Sequence, residues 1–531
     1  MSLMRYLIQN GLIYDGTLER PPFRGDILVE GERITAIDSR ISCEDAQVFD
    51  AGDRMVTPGF IDFHRHADLA VFSPEFGALE LAQGITTVGM GVCGFSFAPY
   101  TEKSDGLYSY TLSTHGPDCT GARYTSMEDY LNALRGLSLP VNVSTLQGLG
   151  AIRLAVKGYD PSPFTAQELR LAQHYVESAL ACGLRGFSTG LVYLPELYNS
   201  QQEIISMLAP CRGKGSLFMP HMRDEASRLP QAVDESIAIA RDSGMALGIS
   251  HFKALGPDNW HGTLEQAIAR IEQARSLGMD VTVDFYPYHG TATTLASILP
   301  ASFLTEDFSV LLSKIDSAQS IERLRQCFLH PGPQDERIEP AFRWSHAMIS
   351  GVSLPENRCY LGKTIHECAI SAGYEDEYPF IARLLASENG SVSMVGLNIS
   401  PDDIARIARL PYSMLISDSL YNITDTPHPR LYASFPHFLQ QFALEHSVLS
   451  MQEAIHKMTQ LPAQRMQYTD RGVLRPGFFA DILVFDPHQL GDHATFTRGK
   501  QRSTGMDLVL VNGQPAWQKE SMLCRAGVCL N

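Results

Sequence analysis

Six residues with metal-binding or proton-moving side chains stand where apolar segments of the chain stop. FIDFHRHAD ends in His64-Arg65-His66, GVCGFS carries Cys93, MPHMRDE carries His221, GISHFKALG carries His251, and LISDS carries Asp418. Side chains two apart on a strand share a face, so His64 and His66 can grip one ion together. Imidazole, thiolate and carboxylate donors suit zinc, whereas calcium or magnesium calls for an oxygen-rich set. His-x-His alone is weak evidence. The chain holds 17 histidines, so chance alone supplies roughly half a pair per chain. A lone histidine or cysteine after an apolar run is most often a packed core group, and a lone Ser-Asp a helix cap. Their shared placement is what distinguishes these six, since the strand ends of a barrel are where residues reach its catalytic face.

The elements that must position these residues alternate. GITTVGMGV, VNVSTLQGL, GFSTGLVY, SLFMPHM, ALGISHF, DVTVDFYPY and YSMLISDS are apolar runs of strand length. Between them lie helical patterns such as FTAQELRLAQHYVESALACGL and LPQAVDESIAIARDSGM, with Thr165 and Ser227 as expected N-caps and a glycine after each. Repeated strand–helix units predict an α/β fold with a parallel sheet, and seven or eight of them a closed (β/α)8 TIM-type barrel. An open doubly wound sheet would call for a Gly-rich phosphate loop after its first strand, and none is present. Both ends of the chain read instead as short strands broken by Gly and Asp turns, which predicts one small β-sandwich domain formed by both termini. The expected division is 1–58 and 470–531 for that domain, 59–289 and 346–469 for the barrel, and 290–345 for an inserted segment in a barrel loop, where the alternation lapses.

Composition narrows the function classes. Acidic residues outnumber basic ones 59 to 42, which argues against nucleic acid or an anionic membrane surface as partner. No apolar run of about 18 residues suggests a membrane helix. The first residues lack the order of a signal peptide, and none of the ten cysteines forms a CxxC pair. A cytoplasmic protein with reduced thiols is the expectation.

The order PGFIDxHxH, GxTTVxxGxCGFS, STGLxY, HxRDE, ISHxK, YPY, SD and HPR, running from about Asn10 to Gly513, resembles the N-acyl-D-amino-acid deacylases (D-aminoacylases) of the amidohydrolase superfamily. The resemblance implies the same barrel, β-sandwich and insertion. It implies one or two zinc ions. His64 and His66 would serve a first position, His221 and His251 a second, and Cys93 would ligate or bridge. The strand GFSTGLVY has no lysine to be carboxylated as the bridge used by most binuclear relatives. It implies Asp418 as the catalytic acid/base, and Tyr193 and Lys253 as ligands of the substrate carboxylate. The activity so implied is hydrolysis of N-acyl-D-amino acids to a carboxylate and a D-amino acid. Some positions depart from the pattern: Ala67 follows the second histidine, with Asp68 one residue on, Leu149 stands where many relatives have histidine, Ser419 stands for a common glycine, and a charged Arg65 separates the two histidines. A dipeptidase or a cyclic-amide hydrolase of dihydroorotase or hydantoinase type stays open as the alternative, and the filled set of six weighs against a non-enzymatic scaffold. A small-molecule partner is expected, and oligomeric state is left open. Side-chain preference is expected to lie in the loops at 288–294 and 419–430, with Arg223 and Arg430 as candidates to meet an acidic group.

Overall fold

The structure is a computed structural model that describes residues 4–104, 115–300, 303, 308–330, 343–421 and 426–531. Part of the expected insertion and residues 422–425 of one specificity loop lie outside that range. Phe60–Asp62 pairs in parallel with Ile85–Met90, and this with Asn142–Thr145. The third strand resumes as Gln147–Gly148. From there Gly186–Gly190, Leu217–His221, Ala246–Ile249, Val281–Phe285 and Ser413–Leu415 pair in turn, all parallel. Ser419–Leu420 then pairs in parallel with Arg65–His66 and closes the ring. The result is the (β/α)8 barrel read from the apolar runs. Strands such as Ile85–Met90 and Val281–Phe285 are buried at every residue, which is why they read as continuous apolar segments rather than alternating ones.

Local chemistry sets the helix ends. Ala166–Ala181 starts from Thr165, whose hydroxyl accepts the Glu168 N–H while Glu168 reaches back, a capping box. Leu229–Ser243 stops on Gly244 in the left-handed region, as expected, but its cap position is Arg228, not Ser227. The Asp224 carboxylate takes the N–H groups of Ala226 and Arg228 at 2.9 and 3.1 Å, which fixes the turn leading into the helix, and no side chain caps the helix itself. Among the described residues no helix is long and apolar enough to cross a membrane.

The β-domain joins both ends of the chain in one nine-stranded sheet whose seam is the antiparallel pairing of Met55–Pro58 with Ile482–Phe485. Its own core mixes Ile8, Ile27 and Val29 with Ile482, Val484 and Leu510. After the last strand the chain returns to the barrel: Val143 N–H donates to Val528 O and Leu530 N–H to Val143 O, at 2.9 and 2.8 Å.

The segment outside the barrel is longer than its expected span of 290–345. Thr291–Thr294, Ala347–Gly351 and Ser393–Gly396 form a separate antiparallel sheet. It packs with the helices Ala318–Leu329, Ile365–Ser371 and Glu377–Ser387 around its own core, from Leu295 to Met394. Periodicity shows that a strand or helix forms but not which sheet it joins, so the later part of this unit reads like barrel.

Candidate metal centre

Barrel strand ends bring all six expected donors together. Among the described residues, one ligand atom from each of His64, His66, Cys93 and Asp418 lies within 4.8 Å of the others, and the same holds for Cys93, His221 and His251. Cys93 belongs to both groups: its Sγ is 3.3 Å from His64 Nε2 and 3.4 Å from His251 Nε2. Asp418 Oδ1 faces His64 Nε2 at 3.4 Å and His66 Nε2 at 3.3 Å. Three of the donors sit in the left-handed region, with φ of 53° at Cys93, 34° at His251 and 51° at Asp418. A non-glycine residue there costs of order 1–3 kcal/mol. The kink turns the chain out of the strand and points each side chain at the common centre.

The set fits a divalent metal ion. His221 Nδ1 is buried without a hydrogen-bond partner in the protein, and a buried nitrogen left bare in this way is suited to a cation. Burial lowers the imidazoles of His66, His221 and His251, which keeps them neutral and able to ligate. At His64 burial also lowers, but Cys93 and Asp284 outweigh it and raise the ring well above its ordinary value, so the surroundings favour a positive charge there. Burial pushes the Cys93 thiol up to about 11 against the opposing pull of His64. Metal binding at its sulfur therefore displaces a proton. Asp418 is buried too, yet Arg430, whose Nη1 donates to Oδ2 at 2.7 Å, and the neighbouring histidines hold it well below the usual carboxylate range.

Behind the donors stand groups that, apart from Asp68, the sequence reading did not single out. Asp284, on Val281–Phe285, places Oδ2 3.4 Å from His64 Nδ1 and accepts the His251 N–H on Oδ1. Glu225 Oε1 meets His251 Nδ1 at 2.8 Å, and its Oε2 faces His221 Nε2 at 3.7 Å. Both acids lie inside segments already marked, DFYPY and HMRDE, but no spacing rule distinguishes them from solvated carboxylates. Glu196 is buried, accepts the Gly190 N–H at 2.7 Å and is bonded by the Thr189 hydroxyl. It also lies against the loop after Cys93: a Cβ on Gly94, where φ is 80°, would sit 1.8 Å from Glu196 Oε2. Asp68 Oδ1 takes the Gly91 N–H at 3.1 Å and ties the first strand end to the Cys93 turn.

Arg65 is fully buried and turns away from the centre. Its guanidinium bonds Asp62 at 3.0 Å, Ser417 at 3.2 Å, Glu80 at 2.8 Å and Tyr421 at 2.6 Å. Because neighbouring side chains on a strand alternate in direction, the charged residue between the two histidines welds the barrel seam behind them. Asp62 also accepts the Ser417 N–H at 3.0 Å, and the Asp418 N–H donates to His64 O at 3.0 Å.

A cavity of about 300 Å³ opens over the centre, lined by Tyr193, Arg223, Lys253, Tyr286, Asp418 and Arg430 among others. The Tyr193 ring meets the His221 ring edge-on at 4.9 Å. Lys253 Nζ is held by Glu225 at 2.7 Å and by His251 O at 2.9 Å. Arg223 is ion-paired to Glu235 at 3.0 Å. The insertion supplies the outer wall, including Thr291, Ile298, Phe328 and Met394.

Comparison with known proteins places this architecture. A sequence model described as the amidohydrolase family matches residues 384–516. The chain is 32% identical over 507 residues to an N-acyl-D-glutamate deacylase of Alcaligenes xylosoxydans xylosoxydans, covering 96% of this chain and 92% of that protein. It is 30% identical over 515 residues to a D-aminoacylase of the same organism, covering 97% and 95%. The crystal structure of N-acyl-D-glutamate deacylase from Bordetella bronchiseptica, complexed with zinc and a phosphonate inhibitor that mimics the reaction's tetrahedral intermediate, superposes with a TM-score of 0.80 at 30% identity over 100% of both chains. With the barrel, the two-ended β-domain and the cysteine-centred donor set all in place, the chain belongs to the N-acyl-D-amino-acid deacylase (D-aminoacylase) family of the amidohydrolase superfamily.

Proposed function

We propose that this protein hydrolyses the amide bond of N-acyl-D-amino acids, releasing a carboxylate and a D-amino acid, with zinc as its metal. The observation that carries the reading is the convergence of His64, His66, Asp418, His221 and His251 on the shared Cys93, in a chain whose relatives with this fold include deacylases of N-acyl-D-amino acids. Zinc suits the mixture of imidazole and thiolate donors. His64, His66, Cys93 and Asp418 would hold one ion and Cys93, His221 and His251 a second. A zinc ion there supplies Lewis acidity, polarising a carbonyl oxygen and making water a competent nucleophile near neutral pH.

The remaining work falls to the chain. Asp418 is ionised, and Arg430 occupies its Oδ2, so Oδ1 is the oxygen that takes the proton of the attacking water and hands it to the departing amine. Lys253 and Arg430 both lie over the ring of the cavity's Tyr286, at 5.9 and 5.0 Å from its centroid. With Tyr193 they would receive the substrate carboxylate and fix which stereoisomer presents its amide. Such orientation is worth several kcal/mol, roughly 7 at the low end of effective-molarity values. A small-molecule partner and a cytoplasmic location belong to the same proposal.

The test is amine release from paired N-acetyl-D- and N-acetyl-L-amino acids, with zinc present and after its removal. The expected result is zinc-dependent release from the D series. Release from dipeptides or cyclic amides only, by a zinc-loaded protein, would overturn the substrate assignment and leave the metal centre standing.

A further inference from the structure

A neutral imidazole that binds an ion through one nitrogen carries its hydrogen on the other, and a buried N–H needs an acceptor. Two of the four histidines at the centre have that outer nitrogen within hydrogen-bond reach of a carboxylate, His64 of Asp284 and His251 of Glu225, and His221 Nε2 faces Glu225 at the longer distance of 3.7 Å. His66 differs. Its Nε2 faces Asp418 at 3.3 Å, and its Nδ1 lies 2.9 Å from Nε2 of another histidine, His115. The two rings meet edge to face with centroids 4.7 Å apart.

His115 is held in place from several directions. It is only 1% exposed, and its carbonyl accepts the Ala70 N–H at 3.0 Å. The next residue, Gly116, has φ of 104°, and a Cβ there would crowd Ala70 at 3.0 Å. The ring packs against Phe95, two residues past Cys93, at 5.3 Å. The excursion between the second and third barrel strands thus returns an imidazole to a set position behind His66.

We propose that His115 is a positioning residue for the first metal position: with its own hydrogen on Nδ1, its Nε2 accepts the Nδ1–H of His66 and keeps Nε2 of that ring aimed at the ion. This rests on the metal-dependent reading above. His115 belongs to neither donor group, although its ring lines the cavity beside His66, and its assigned role is exerted through His66.

The test uses two substitutions of similar size and polarity. In H115Q the side-chain oxygen reaches about where Nε2 stood, whereas in H115N it stops near Nδ1 and leaves His66 without an acceptor. Zinc is titrated into metal-free full-length wild type, H115Q and H115N, each with and without His66→Ala. The expected result is two binding events in the wild type. One of them should weaken about 10- to 100-fold in H115N, be largely restored in H115Q, and show no further effect of H115N once His66 is absent. The proposal is overturned if H115N binds zinc as the wild type does, if Gln rescues no better than Asn, if the H115N loss persists undiminished without His66, or if the wild type shows a single event. A wild type that takes up no zinc would sink the metal reading itself, which distinguishes the two failures.

Discussion

Replacing Asp418 by Asn separates the chemistry from the metal. The substitution keeps size and shape, so the amide oxygen can still accept from Arg430, now 2.7 Å from Oδ2. The amide nitrogen then takes the place of Oδ1, which stands 3.4 and 3.3 Å from His64 Nε2 and His66 Nε2. It is a donor where an acceptor is needed, and it cannot take a proton. Two consequences follow. The donor group of Cys93, His221 and His251 does not include Asp418, so D418N keeps zinc there. General acid–base catalysis contributes about 10²- to 10⁴-fold, so turnover should fall by that factor, or about 2.7–5.4 kcal/mol of barrel-site transition-state stabilisation at 1.36 kcal/mol per tenfold. The assay is amine release from the preferred N-acetyl-D-amino acid, with zinc per chain measured on the same preparation. Turnover within about threefold of wild type in a zinc-loaded D418N protein would refute the role given to Asp418, since removal of a group worth at least 10² cannot pass unnoticed.

Two further predictions concern the frame. Arg65→Met leaves Asp62 and Glu80 buried at the barrel seam without their cation; breaking a buried pair in this way costs about 3–5 kcal/mol, read as a lowered urea midpoint, and adding Glu80→Gln should recover part of it. Lys457 donates to Leu410 O at 2.6 Å and to Ser413 O and Oγ at 3.1 Å, and burial pulls its ammonium down to about 8. An unfolded lysine titrates near 10.4, so from about pH 8 to 10.4 the folded chain holds fewer protons than the unfolded one, and this position adds stability as pH rises. Wild type should therefore gain about 3 kcal/mol on Lys457→Met between pH 7.5 and 10.5, compared by urea unfolding; an unchanged or shrinking difference would contradict the depressed lysine.

Much of the frame was legible in consecutive residues. Parallel barrel strands are buried on both faces, so runs such as ITTVGM and VTVDF announce themselves. The Thr165 capping box is a rule about positions three apart. The six donors could be picked out because histidine, cysteine and aspartate at strand ends are few and chemically distinct. Ser227 does not cap because the helix starts one residue later, at Leu229, and Pro230, three residues after Ser227, has no N–H to offer it. The insertion was cut short because its later helices and strands carry ordinary periodicities and differ only in the partners they pair with.

The pairings that tune the site lie beyond any local rule. His64 and Asp284 are 220 residues apart in the chain, His66 and His115 are 49 apart, and Glu225 meets His251 across 26. Arg65 reads as an intrusion between two ligands until the pleat turns it into the seam, against Asp62, Ser417, Glu80 and Tyr421. Residue type and short-range period are properties of neighbours along the chain, so they settle which segments become strands and which side chains can ligate. Which carboxylate or imidazole stands behind each ligand depends on closure of the barrel and the return paths of its loops, because only packing brings residues so distant in sequence within hydrogen-bond reach.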